Sequence, residues 1–265
     1  MTLPTNLLDI LENAAIEAGK AIMEVYEAGP TVSLKNDRSP VTEADECAEA
    51  IILARLAAAC PDVPVVAEES VAAGRVPDIG GGRFFLVDPL DGTREFIDRR
   101  NEFTVNIALV EAGVPIAGVV YAPALKVAYS GAQGRAEKLY LGADFAILDR
   151  RVIGCRAKAA TVTAVVSRSH GDPQTNAFLD DNGITDRTTV GSSLKFCLLA
   201  EGLADVYPRF GRTMEWDTAA GDAVLRAAGG RVTRPDGAPF LYGKTSPPED
   251  SDFANQAFVA WGGAL

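Results

Sequence analysis

The feature that most constrains this chain is an unbroken apolar run, Phe84-Phe85-Leu86-Val87, which leads straight into Asp88-Pro89-Leu90-Asp91-Gly92-Thr93. A short continuous run of aromatic and branched residues reads as a strand buried on both faces. Pro89 has no N–H and a locked φ, so the chain cannot continue as a helix there. Asp88 and Asp91, at a rigid strand end, can converge on one point, and oxygen-rich sets of this kind suit hard cations such as Mg²⁺. Gly92 and Thr93 place backbone N–H groups and a hydroxyl beside them, natural donors to a phosphate. Taken alone, the segment reads equally well as an acidic turn capping a helix.

The rest of the chain alternates between helix and strand patterns. Residues 7–28 are expected to be helical, with Leu7, Ile10, Leu11, Ala14, Ala15, Ala18 and Ile22 on one side. Thr42-Glu43-Ala44-Asp45 resembles a capping box ahead of Ala48, Ile51, Ile52 and Leu56. Residues 64–67 read as a short buried strand running into Glu68-Glu69, and 84–87 as another that ends at Asp88. Strands are expected at 103–111 and 115–121, turning at Ala112-Gly113, then a hairpin at 127–129 and 137–140, and a strand at 162–167. Helices follow at 175–182, from Gly191-Ser192-Ser193 through Leu203, and from near Asp217 to the Gly229-Gly230 stop, before a last strand at 258–261. This order predicts an α/β or mixed α+β fold with large sheets. The expected division is 1–135 and 136–265, although no linker composition marks a seam.

Composition narrows the classes. With 48% hydrophobic and 23% charged residues the chain can bury a real core. No apolar run approaches the roughly 20 residues that span a bilayer, and the first residues lack a signal-peptide layout. No membrane span and a cytoplasmic location are therefore expected, with peripheral attachment at the inner membrane left open. The net charge of −11 argues against a nucleic-acid polymer as partner. An anionic substrate would need local divalent cations, and part of the acidic excess would be their ligands. Four cysteines without a CxxC spacing fit reduced thiols better than disulfides or zinc. His170 is the only histidine, so a Ser-His-Asp triad would depend on it alone.

Four blocks, SPVTEAD (39–45), AEES (67–70), LVDPLDGT (86–93) and WDTAAGDAVLRAAGG (216–230), give the sequence a specific likeness. It resembles the lithium-sensitive, metal-dependent phosphatase family that includes inositol monophosphatase, fructose-1,6-bisphosphatase and the 3'(2'),5'-bisphosphate nucleotidases. The resemblance implies a layered α-β-α-β-α sandwich and two or three Mg²⁺ ions, with Li⁺ as an inhibitor. Glu68, Asp88, the Leu90 carbonyl, Asp91 and Asp217 would be the metal ligands. Asp45 and Thr93, together with Glu68, would orient and deprotonate an attacking water. Gly92 and Thr93 would hold the phosphate, with Asp217 bordering the substrate. Simpler readings stand beside these: Thr42 to Asp45 as a capping box only, and Asp217 as a helix N-cap only.

Three segments narrow the likeness to the CysQ-type nucleotidase branch: LDGTREFIDRRNEFTVNIALVEAG, GSSLKFCLLAEGLADVYPRFGRTMEWDTAAG and Ser167-Arg168-Ser169-His170. By that resemblance Ser167, His170, Gly191, Ser192, Lys195 and Arg209 would contact the substrate. An arginine at 209 suits a second phosphate, which its planar fork can grip. The expected reaction is removal of the 3'-phosphate of adenosine 3',5'-bisphosphate (PAP), linked to sulfate assimilation, by a monomer or homodimer. The alternatives are an inositol- or sugar-phosphate phosphatase, dual activity, or a metal- and nucleotide-binding regulator without turnover. Arg209 and Lys195 as water-facing charges, and His170 as a loop residue, are the bland readings.

Overall fold

The computed structural model describes residues 3–34, 40–157, 161–168, 171–245 and 250–263. The expected substrate contact at His170 lies outside them. Helix α1 (Leu7–Ala28) turns Leu7, Leu11, Ala14, Ala15, Ala18 and Ile22 inward, as its periodicity predicts. After a short antiparallel pair, β1 (Val32–Leu34) and β2 (Pro40–Thr42), helix α2 (Glu43–Ala59) buries Ala44, Ala48, Ile52 and Leu56. Both helices pack on one face of a seven-stranded sheet through a shared apolar cluster.

That sheet holds β3 (Val65–Ala67), β4 (Arg83–Asp91), β5 (Thr104–Glu111), β6 (Val114–Ala122), β7 (Val127–Ala132), β8 (Arg135–Leu141) and β9 (Ile147–Ile153) in chain order. Only β3–β4 is parallel; the others form meanders. Two tight turns close hairpins with both central residues at positive φ, Ala112-Gly113 and Gln133-Gly134. That geometry matches the right-handed twist of the flanking strands. The sheet therefore runs past residue 135, where the sequence suggested a division, and continues to Ile153. The expected boundary falls just after the Gln133-Gly134 hairpin turn, where β8 begins.

On the opposite face lie α6 (Leu194–Ala200) and α7 (Glu215–Ala227), in a cluster shared with a second sheet. The second sheet has five strands in the order β11 (Asp186–Val190), β10 (Thr163–Ser167), β12 (Val206–Arg209), β14 (Phe258–Trp261), β13 (Arg231–Thr233). Its inner face sends Val165, Tyr207, Val232, Phe258 and Ala260 toward α6 and α7. Its outer face packs Ala164, Val206 and Val259 on Leu179 of α5 (Pro173–Asp181). The result is the expected α-β-α-β-α order of layers.

Three details differ from the sequence reading. Strand β4 does not stop at Asp88. It pairs Asp88 with Asn106 and Asp91 with Thr104, so one extra residue is taken up between them as a bulge. Helix α6 is shorter than expected and closes at Gly202, where φ is +71°. Helix α7 begins at Glu215, and Asp217 is its third residue: its Oδ2 accepts the Met214 N–H at 2.8 Å, from inside the first turn.

Helix α7 sits unusually close to the sheet. Gly118 and Gly131 are cross-strand partners on β6 and β7. A Cβ on Gly118 would stand 2.8 Å from Ala220 O, and one on Gly131 2.8 Å from Val224 Cα. The two glycines form a seat for the small face of α7, and any side chain there would have to lift the helix. Gly118→Val is expected to cost about 1–3 kcal/mol of stability through overpacking. Urea unfolding of the variant checks this, with an unchanged midpoint counting against the close seat.

Candidate active site

The bulge in β4 decides which way its acids point. Phe84 and Leu86 belong to the cluster under α7, while Phe85, Val87 and Leu90 belong to the cluster under α1 and α2. Regular alternation would put Asp88 and Asp91 on opposite faces. Taking up one residue returns both to the α7 side, while Leu90 keeps its apolar side chain in the other core. Asp88 is buried, and its Oδ1 accepts the Leu90 N–H at 3.0 Å. Gly92 then adopts φ +90°, and Thr93 opens the short helix α4 (Thr93–Ile97). Glu68 is the first residue of another short helix, α3 (Glu68–Ala72), directly after β3. It thus leaves the strand that runs parallel to β4.

Asp45 comes from the first turn of α2. The capping box is present as expected: Asp45 Oδ2 accepts from both Thr42 N and Thr42 Oγ1 at 2.8 Å. Its other oxygen, Oδ1, lies 3.3 Å from Thr93 Oγ1. The Thr93 hydroxyl is also 3.2 Å from the Leu90 carbonyl oxygen. The capping role of Asp45 therefore does not exclude a functional one, because the Thr93 hydroxyl meets the other carboxylate oxygen.

Asp91 and Asp217 meet across the gap between β4 and α7. Asn106 links them: its Nδ2 donates to Asp91 Oδ2 at 3.4 Å and to Ser193 Oγ at 3.0 Å, and Ser193 Oγ donates to the Asp217 carbonyl at 2.5 Å. Burial pushes the Asp91 carboxyl above its ordinary range, against the pull of Lys195. Asp217 is pushed well up, first by burial and then by the charges of Asp91 and Glu68, despite the Met214 N–H. Burial presses the Lys195 ammonium down to about 8 even though Asp91 favours its charge.

A cavity of about 190 Å³ opens on this cluster and is bordered by Asp91, Ser167, Gly191, Ser192, Lys195, Arg209 and Asp217. Larger hollows lie away from these acids: two of about 860 and 700 Å³ along α1, and two of about 570 and 430 Å³ beside the Ala112-Gly113 turn. Lys195 and Arg209 are only 7% and 8% exposed, so neither is a water-facing charge. Lys195 Nζ donates to the Ser192 carbonyl at 2.6 Å. Arg209 uses Nε and Nη2 on the carbonyls of Gly211 and Arg212. Gly191 and Ser192 border the cavity but have partners in the protein. The Gly191 N–H goes to Glu102 Oε2 at 2.8 Å, and the Ser192 hydroxyl lies 2.9 Å from Asp91 O and 2.7 Å from Glu102 O.

Sequence reasoning missed Asn106, Ser193, Glu95 and Glu102. Asn106 had a visible signal, a polar residue inside the buried run Val105 to Val110. Glu95 borders the cavity and is buried, yet reads in sequence as an ordinary helical acid.

Among the described residues no group of three or more acidic, Cys or His side chains is drawn into a ready-made metal cage. The donor chemistry nevertheless fits a hard cation. Burial disfavours the charge of Asp91 and of Asp217, and Asp217 also lies in the field of Asp91 and Glu68. All the candidate donors are oxygens, the set that Mg²⁺ accepts.

Comparison with known proteins agrees with this architecture. The model of the inositol monophosphatase family matches residues 3–260. The 3'(2'),5'-bisphosphate nucleotidase CysQ of Escherichia coli K12 is 46% identical over 254 residues, covering 95% of this chain and 98% of the relative. The crystal structure of CysQ from Bacteroides thetaiotaomicron, a bacterial member of the same family, superposes with a TM-score of 0.80 at 38% identity, covering 98% of each chain. An inositol monophosphatase from Anabaena superposes at 0.72 with 25% identity, covering 97% of this chain and 91% of that one. A fold of five alternating layers, with acids from β4, α2, α3 and α7 gathered at one end, thus comes with a family match along nearly the whole length: the chain belongs to the inositol monophosphatase family.

Proposed function

We propose that this chain is a Mg²⁺-dependent 3'(2'),5'-bisphosphate nucleotidase that hydrolyses the 3'-phosphate of PAP to AMP and phosphate, a reaction linked to sulfate assimilation. The observation that carries the proposal is the pairing of an acidic cluster with two buried cations, Lys195 and Arg209, around one cavity. A substrate with one phosphate at the acids and a second anionic group nearby matches that distribution. A polyol phosphate gives no partner to Arg209. The relatives named as bisphosphate nucleotidases support the same choice, and the family is one of metal-dependent phosphatases.

Glu68, Asp88, the Leu90 carbonyl, Asp91 and Asp217 would hold Mg²⁺. Bound Mg²⁺ supplies positive charge at the phosphate oxygens and lowers the pKa of water. The protein's own groups handle the proton. Thr42 occupies Asp45 Oδ2, which leaves Oδ1 facing the Thr93 hydroxyl. That hydroxyl takes the proton of the attacking water as it passes its own to Asp45. The new bond forms between water oxygen and phosphorus while the ester P–O bond breaks, the leaving 3'-oxygen taking up a proton from solvent, with no covalent enzyme intermediate. The N–H groups of Gly92 and Thr93 receive the phosphate oxygens. Arg209, with Nε and one Nη2 hydrogen committed to the Gly211 and Arg212 carbonyls, would meet the second phosphate through Nη1 and the other Nη2 hydrogen.

Phosphate release from PAP, inositol 1-phosphate and fructose 1,6-bisphosphate, each with Mg²⁺, separates the readings. PAP is expected to give the highest kcat/KM, and a clear preference for inositol 1-phosphate would move the chain to the polyol-phosphate branch. Chelation should abolish turnover and Mg²⁺ restore it, with Li⁺ inhibiting the restored enzyme by competing for the same oxygens.

Two substitutions probe the residues. Asp91→Asn should lower kcat at least about a hundredfold, since several kcal/mol of charge stabilisation depend on the ligand set. Unchanged hydrolysis would remove Asp91 from the mechanism. Arg209→Ala should raise the KM for PAP by about ten- to a hundredfold, the scale of a lost charge-assisted contact, and leave inositol 1-phosphate nearly untouched.

A further inference from the structure

Between α4 and β5 the chain passes Glu102, a residue outside the acidic cluster. Its contacts reach both halves of the molecule. Glu102 Oε2 accepts the Gly191 N–H at 2.8 Å and pairs with Arg168 at 2.7 Å. Its carbonyl oxygen lies 2.7 Å from Ser192 Oγ. The fit is tight: a Cβ on Gly191 would stand 2.8 Å from Glu102 O and 3.0 Å from Glu102 Cβ. Gly191 is a glycine because Glu102 lies against it.

The segment that Glu102 grips is under load. Ser192 has φ +50°, a left-handed conformation that a non-glycine residue adopts only when its surroundings impose it. Ser192 carries the carbonyl that receives Lys195 Nζ at 2.6 Å. Lys195 in turn lies in the field of Asp91. A chain of contacts therefore runs from the Glu102 carboxylate through Gly191 and Ser192 to the buried ammonium at the cavity wall.

We propose that Glu102 is a positioning residue for substrate binding. Its side-chain oxygen fixes the Gly191–Ser192 segment, and that segment sets the Lys195 ammonium against the bound anion. The contact that matters is the reach of the oxygen to the Gly191 N–H; the charge pairing with Arg168 is secondary. The inference rests on the cavity being the substrate site, as in the reading above.

Two isosteric changes separate reach from charge. Glu102→Gln keeps the length and an acceptor oxygen but removes the charge. Glu102→Asp keeps the charge but draws the oxygen back by one methylene. Steady-state kinetics of both, with Arg168→Gln alongside, are measured on whichever phosphate ester the wild-type enzyme prefers. A wild-type preference for inositol 1-phosphate would overturn the nucleotidase reading while leaving this test intact.

The expected result is a KM within about twofold of wild type for Glu102→Gln and Arg168→Gln. Glu102→Asp should raise KM about tenfold, the loss of one hydrogen bond to a charged group, with kcat within about twofold. The reverse order, with Gln impaired and Asp normal, would assign the role to the Arg168 charge pair and overturn the proposal. Equal and unchanged KM in both variants would also overturn it, as would a fall confined to kcat. Thermal unfolding of each variant accompanies the kinetics. A KM shift in a protein with wild-type Tm is the split that a merely structural side chain would not give.

Discussion

Like charges repel most strongly where water is excluded, and this fold brings Asp91 and Glu68 within reach of Asp217, whose carboxylate is held in such a place. Separate elements share the cost: Glu68 leaves β3, Asp91 leaves β4, and Asp217 stands in the first turn of α7. The surrounding donors, Asn106 and the Met214 N–H, and the ammonium of Lys195 offset part of the repulsion. The remainder fits a site made to receive a multivalent cation and, through it, a phosphate. The net charge of −11 is thus not at odds with an anionic substrate, since part of it is concentrated where cations can neutralise it.

Much of the fold was legible because it rests on periodicity and turn chemistry. The helix at 7–28, the Ala112-Gly113 turn and the capping box at Thr42 are local features, and local physics places them correctly. The bulge between Asp88 and Asp91 was not legible. Nothing in DPLD says that one residue is absorbed against the partner strand, since that depends on pairing with Asn106 and Thr104. For the same reason β8 and β9 could not be assigned to the first sheet from composition: strand pairing is a long-range fact, and a hairpin turn looks the same within a domain as at its edge.

The cavity wall was legible by residue type and less so by burial. Lys195 and Arg209 border the cavity and are buried, which a lysine on a helix and an arginine near a strand end do not reveal in sequence. Gly191 and Ser192 were marked as substrate contacts, and the structure gives their N–H and hydroxyl to Glu102 and Asp91. In a motif such as Gly-x-x-x-Lys, the glycine can record what packs behind the loop, while the lysine records what lies in front.

The glycine seat under α7 has a consequence for motion. Because Gly118 and Gly131 let the helix rest on backbone, and the second sheet covers its other side, α7 has no free face along which to breathe. Amides in its central turns should exchange with solvent only when the whole molecule opens, whereas the exposed β1 can open on its own. Asp217 stands in the first turn of this same helix, so its carboxylate is fixed to an element that cannot shift without the two sheets that hold it.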